Sequence, residues 1–174
     1  MKRTLALIAV LTFICSVSFG QNAYMKGSNL IHGGIGFGLA GVFGDATIPP
    51  ITAGYEFGFE DKISLGGLVG YSGSTFSGFG WEWKYSYILF GARGAYHFLE
   101  NNSTWDAYGG VLLGYNIVSV SETGTAGFGF SAGTSYMLFG FYGGGRYYLN
   151  PRLALYGELG YGAGFVTVGV AYKL

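Results

Sequence analysis

The constraint that dominates this sequence is a period of two. Ile31, Gly33, Ile35, Phe37 and Leu39 alternate with His32, Gly34, Gly36 and Gly38, so one side of an extended chain is bulky and apolar and the other is tiny or polar. The same rule runs through 51–59, 63–71, 88–98, 107–117, 137–149, 155–162 and 166–174, with Leu68 an exception in 63–71 and with Leu89, Tyr108, Tyr142, Tyr148 and Tyr156 among larger residues on the small side. Successive side chains of a strand point to opposite faces, whereas a helix repeats near 3.6. After Gly20 no window carries the helical period, and none reaches the roughly 20 continuous apolar residues that a spanning helix requires. The chain is therefore predicted to be all-β.

Eight such segments, each about ten residues long, match the length a tilted strand needs to cross a bilayer. Between them lie short turns at Glu60-Asp61-Lys62, Leu99 to Thr104 and Asn150-Pro151-Arg152, and longer loops at Gly41 to Pro50, Ser72 to Trp83 and Ser119 to Ser135. An even strand number with short turns at one end and long loops at the other is the pattern of bacterial outer-membrane barrels. The predicted fold is an eight-stranded antiparallel up-and-down transmembrane β-barrel, with the short turns in the periplasm and the last connection, near Ala163-Gly164, very tight.

Volume and charge decide which face is outside. A barrel of about eight strands has room only for side chains, so rows of Phe, Leu, Tyr and Ile would overfill its interior. Glu56, Arg93, Arg146 and Glu158 all fall on the glycine-rich side, and an Arg turned toward the lipid midplane costs roughly 2–4 kcal/mol. These four are predicted to form a salt-bridged network that plugs the lumen, since buried charges persist only when paired.

Composition narrows the rest. Charged residues are 10% of the chain while Gly numbers 34 and aromatics reach 19%, a poor match both to a soluble surface and to disorder. The formal net charge is zero, so no basic face exists to hold nucleic acid. Lys2 and Arg3, the apolar stretch from Leu5 to Cys15 and Ser18-Phe19-Gly20 read as a secretory signal cleaved after Gly20. Residues 1–20 are then the signal and 21–174 the barrel. Cleavage removes Cys15, the only cysteine, and with it disulfides and thiol chemistry.

Other motifs are weighed against this frame. Trp81, Trp83, Tyr85 and Tyr87 read as an aromatic girdle at headgroup level. Their parity is that of the inward face holding Arg93, so the girdle needs a bulge that switches register; otherwise these rings line the barrel mouth. His97 and Asp106 are predicted to meet as a hydrogen-bonded pair at the periplasmic rim, without a third ligand for a metal. Gly36 to Gly41 spells GxGxxG, but within a strand pattern and with no helix following, so a dinucleotide site lacks its context. No cofactor is expected.

The C-terminal residues Thr167, Gly169, Tyr172 and Leu174 resemble the terminal signal of the small outer-membrane barrel family that includes the OmpX-like, OmpA-transmembrane-domain and opacity-type proteins, although that signal usually ends in Phe. Arg146 to Pro151 followed by Tyr156 to Tyr161 is also similar to this family. The resemblance implies insertion by the barrel-assembly machinery and surroundings of outer-membrane lipids and lipopolysaccharide. It implies a structural or surface-contact role, with an extracellular ligand at the long loops. A narrow pore or lipophile conduit is the alternative. A lipid-A-modifying enzyme is a third class, disfavoured because both histidines sit at the end away from the outer leaflet.

Overall fold

A computed structural model describes residues 24–38, 45–78, 81–99, 104–123 and 131–174. The expected signal over 1–20, the end of the GxGxxG stretch and the 124–130 loop tip lie outside the described residues. Eight strands follow in order: β1 (Asn29–Phe37), β2 (Asp45–Glu60), β3 (Ile63–Gly78), β4 (Trp81–His97), β5 (Trp105–Thr123), β6 (Ser131–Tyr148), β7 (Leu153–Tyr161) and β8 (Val166–Lys173). Each pairs antiparallel with its neighbour, and β1 pairs β8, from Leu30 opposite Lys173 to Phe37 opposite Val166, to close the barrel.

Sidedness follows the alternation. Met137, Phe139 and Leu159 are 69%, 67% and 65% exposed, whereas Leu30, Arg146 and Asn116 are 1–2% exposed. A continuous belt of exposed Phe, Leu, Ile and Val around a closed sheet is a surface that hydrocarbon, not water, solvates. The interior is narrow enough that glycine is a steric requirement. A Cβ on Gly91 would sit 2.7 Å from the Leu113 carbonyl oxygen and 2.8 Å from the Gly114 Cα, closer than backbone atoms allow.

The strands run further than the alternation of bulky residues suggests, so the expected long loops need correcting. β3 and β4 stay paired from Tyr71 opposite Ile88 out to Gly78 opposite Trp81, and β5 and β6 from Ile117 opposite Ser135 out to Ser121 opposite Ser131. β2 begins at Asp45, inside the stretch expected to be a loop, and bulges on either side of Ile48 and across Pro49-Pro50, where two prolines offer no ladder donor. Among the described residues β1, β7 and β8 have no such extensions, so β2 to β6 project beyond them as a sheet.

The pattern inverts along a single register line. Below Tyr71, Ile88, Ile117 and Ser135, which are paired neighbours across four strands, the outward residues are Val69, Phe90, Tyr115 and Met137. Above it they are Ser86, Ser119 and Gly133, while Tyr87, Val118 and Tyr136 turn inward, and Gly73 lies buried against Ile48 of β2. A reversal of this kind is expected where water replaces hydrocarbon around a sheet, because the greasy face then changes sides.

At the opposite end, Asn150 makes the β6–β7 turn. Its side-chain oxygen accepts from the backbone N–H of Arg152 at 2.9 Å and of Leu153 at 2.8 Å, an Asx turn. Asn150→Ala leaves both donors to water and is expected to destabilise the barrel by about 1 kcal/mol, read as a lower urea midpoint in lipid vesicles with an unchanged slope. The N-terminal segment caps the same end. Tyr24 donates to the carbonyls of Glu60 at 2.8 Å and Ile63 at 2.5 Å. Its ring stacks on His97 with centroids 3.7 Å apart. Burial, with Glu56 and Asp106 beneath it, raises the pKa of the Tyr24 hydroxyl well above that of a free phenol.

Candidate functional site

Two places concentrate chemistry: the lumen and the mouth of the projecting sheet. In the lumen, Arg146 on β6 reaches across to Glu56 on β2, with Nη1 donating to Oε1 at 2.9 Å and Nη2 to Oε2 at 2.5 Å. This fork-to-fork pair ties two opposite strands of the ring together. Nη1 also donates to Asp106 on β5 at 3.3 Å. Arg93 on β4 donates to Glu158 on β7 at 2.7 Å, and the Tyr108 hydroxyl donates to the same oxygen at 2.9 Å. Aromatic faces cover both cations: Arg93 lies 3.8 Å from the centre of the Tyr142 ring and Arg146 4.3 Å from that of Tyr108.

The four sequence-derived charges thus form two ion pairs with Tyr108 between them, and the larger cluster recruits further residues. His97 and Asp106 meet, but in a buried cluster: they are 1% and 2% exposed, and Asp106 is shared with Arg146. The reason is register, since Asp106 stands directly opposite Arg146. The His97 Nδ1 lies 2.8 Å from Asp106 and its Nε2 lies 3.0 Å from the Ser64 hydroxyl.

Ser64, His97 and Asp106 stand in the order of a nucleophile, base and orienting acid. Access argues against that use, because Ser64 is 1% exposed, Tyr24 covers His97, and the Glu56 carboxylate lies 3.7 Å from the same His97 nitrogen. The arrangement locks an imidazole between neighbours.

Above the charges, Leu68, Leu89, Leu112 and Leu138 meet in the lumen, with Tyr136 and Ala163 packed against them. Leu68, read as an exception to the alternation, is part of this apolar layer. A cavity of about 20 Å³ remains between the layer and the Arg93–Glu158 pair, bordered also by Tyr142 and Thr167, enough for about one water molecule.

At the mouth, the register of β4 with β3 and with β5 is unbroken from Glu82 to Tyr96. The bulge that a girdle needs is therefore not there. Tyr87 is 2% exposed, Tyr85 stacks on it with centroids 6.4 Å apart, and Trp83 follows on the same inner face. The side chain of Trp81 lies outside the described residues. At the C-terminus, Thr167 is buried and Gly169 faces inward, while Tyr172 and Leu174 turn outward, Leu174 67% exposed. Among the described residues no group of His, Cys, Asp and Glu has the geometry to hold a metal ion.

No protein-family model and no curated protein sequence matches the chain. Solved structures do. The attachment invasion locus protein Ail of Yersinia pestis is 18% identical, covering 86% of this chain and all of its own, with a TM-score of 0.54. The N-terminal β-barrel domain of Pseudomonas aeruginosa OprF is 13% identical, covering 89% and 99%, with a TM-score of 0.56. The fold is that of the small outer-membrane β-barrels. Neisserial surface protein A adds a third such barrel at 19% identity, covering 84% and 94%, with a TM-score of 0.52. Ail has also been solved in complex with the heparin analogue sucrose octasulfate. At these identities the likeness concerns the barrel architecture, and the lumen and mouth of this chain are read on their own chemistry.

Proposed function

We propose that this chain is a non-enzymatic surface-contact protein of the bacterial outer membrane, with a sealed lumen. The observation that carries the reading is the inversion of polarity on β3 to β6. These strands spend chain length on an ordered sheet above the hydrocarbon edge, beyond what a membrane anchor needs. Ordered extracellular structure on a rigid barrel is a place to present a binding surface. The seal rests on two layers, the leucines and the salt-bridged charges, with a cavity between them too small for a hydrated ion. Residues 1–20 would direct export and be removed. Thr167, Gly169, Tyr172 and Leu174 would be read by the barrel-assembly machinery, and outer-membrane lipids and lipopolysaccharide would surround the belt.

Two measurements test this. Cells displaying the protein are expected to adhere to surfaces coated with extracellular host material, and to lose that adhesion when 119–134 is replaced by a two-residue turn while the barrel still shows heat-modifiable gel migration. The purified chain in a planar bilayer is expected to give no unitary conductance. Steady ion-conducting steps from the unaltered protein would favour the narrow-pore reading, and adhesion that survives trimming would remove the surface-contact role.

A further inference from the structure

We infer that the inner face of the projecting sheet carries a binding site for a methylated ammonium group of the choline class, built from Phe76, Trp83, Tyr85 and Glu122. The inference rests on the reading that this sheet is the contact surface. Phe76 stands opposite Trp83 across β3 and β4, and Trp83 stands opposite Glu122 across β4 and β5. The three share one rung and one face, so neighbouring side chains begin about 5 Å apart. One rung lower, Ser74, Tyr85 and Val120 repeat the arrangement, and Tyr85 stacks on Tyr87 with an interplanar angle of 17°.

Access and charge then select the ligand. Phe76 is 53% exposed, and Trp83, Tyr85 and Glu122 are half-buried. β7 ends at Tyr161 and β8 begins at Val166, so neither strand covers this face. Lys84 and Glu82 point to the opposite face and pair with each other at 3.1 Å. Among the described residues no cation pairs with Glu122. Three aromatic side chains beside a carboxylate attract a cation through the ring quadrupoles and the formal charge together. A bare ammonium is compact and strongly hydrated, whereas a methylated one presents an apolar shell that suits ring faces. A sulfated or phosphorylated ligand is excluded by sign, because no Lys or Arg among the described residues lies on this face.

The test uses the full mature chain folded in octyl glucoside, a detergent without a quaternary ammonium. Choline chloride and tetramethylammonium chloride are titrated while tryptophan fluorescence is followed, with ammonium chloride and glucose as controls. Saturation-transfer NMR on the choline methyl protons provides a reading that needs no variant. Saturable binding of the two methylated ions is expected, with neither control binding. Glu122→Gln is expected to weaken binding about five- to tenfold and Trp83→Ala to abolish the transfer, both variants retaining heat-modifiable migration. A folded protein without methyl saturation transfer overturns the site, as does an equal response to glucose or unchanged affinity in Glu122→Gln. Adhesion lost on trimming 119–134 with no choline binding by the intact chain would remove this site alone. Choline binding with adhesion that survives trimming would remove the surface-contact role alone.

Discussion

Replacing Arg146 by Met is expected to cost the barrel about 3–5 kcal/mol, because Glu56 and Asp106 lose the one guanidinium that pairs with both and keep only the His97 imidazole beside them among the described residues. Arg146 is 1% exposed and is bonded to Glu56 and to Asp106. The bond to Glu56 joins β6 to β2 across the ring, so its loss removes a strut as well as a charge. The loss should appear as a large drop in the urea midpoint in lipid vesicles, and at the extreme as a chain that never acquires heat-modifiable migration. The informative partner is Arg146→Met combined with Glu56→Gln and Asp106→Asn. A neutral lumen of similar volume is expected to recover more than half of the loss, since neutralising a buried ionic cluster is far cheaper than breaking it. If the triple variant is no more stable than the single one, Arg146 acts by packing and not by charge.

The second large effect tests the hydrocarbon edge. Leu113 and Ser119 face outward on the same strand, β5, with Leu113 50% exposed. Leu113 lies below the inversion line and Ser119 above it. Leu113→Arg is expected to cost about 2–4 kcal/mol in bilayer-embedded protein, and Ser119→Arg no more than about 1 kcal/mol. Both variants carry the same new charge at the same strand parity, so a difference between them measures depth alone. Equal costs would mean that the line through Tyr71, Ile88, Ile117 and Ser135 is not the membrane boundary.

The barrel itself was legible because alternation is a local property: nine residues such as Ile31 to Leu39 already assign a side to each residue. Parity was enough to put Glu56, Arg93, Arg146 and Glu158 on one face. It does not report which of them meet, since the partners of Arg146 come from β2 and β5, whose register depends on the whole ring. Ser64 and Asp106 enter the cluster for that reason, and no sequence signal marks Ser64. The leucine layer was hidden by the opposite error: Leu68 read as a defect, and Leu112 and Leu138 were passed over, because a small-side rule has no place for them. Trp83, Tyr85 and Tyr87 stayed divided between girdle and mouth for a third reason. The meaning of a bulky residue reverses where water replaces lipid, and that crossing leaves the period of two unchanged.

The β1–β8 seam has a consequence for biogenesis. These strands hold the ring shut through a ladder between the first and last strands of the chain, so the final bonds join partners that are synthesised at opposite ends of translation. Until β8 arrives, β1 presents an unsatisfied edge and the intermediate is an open ribbon with one oily side, a species prone to clump in water. Long-range closure of this kind is slow, so the oily side of the ribbon stays uncovered until β8 pairs with β1.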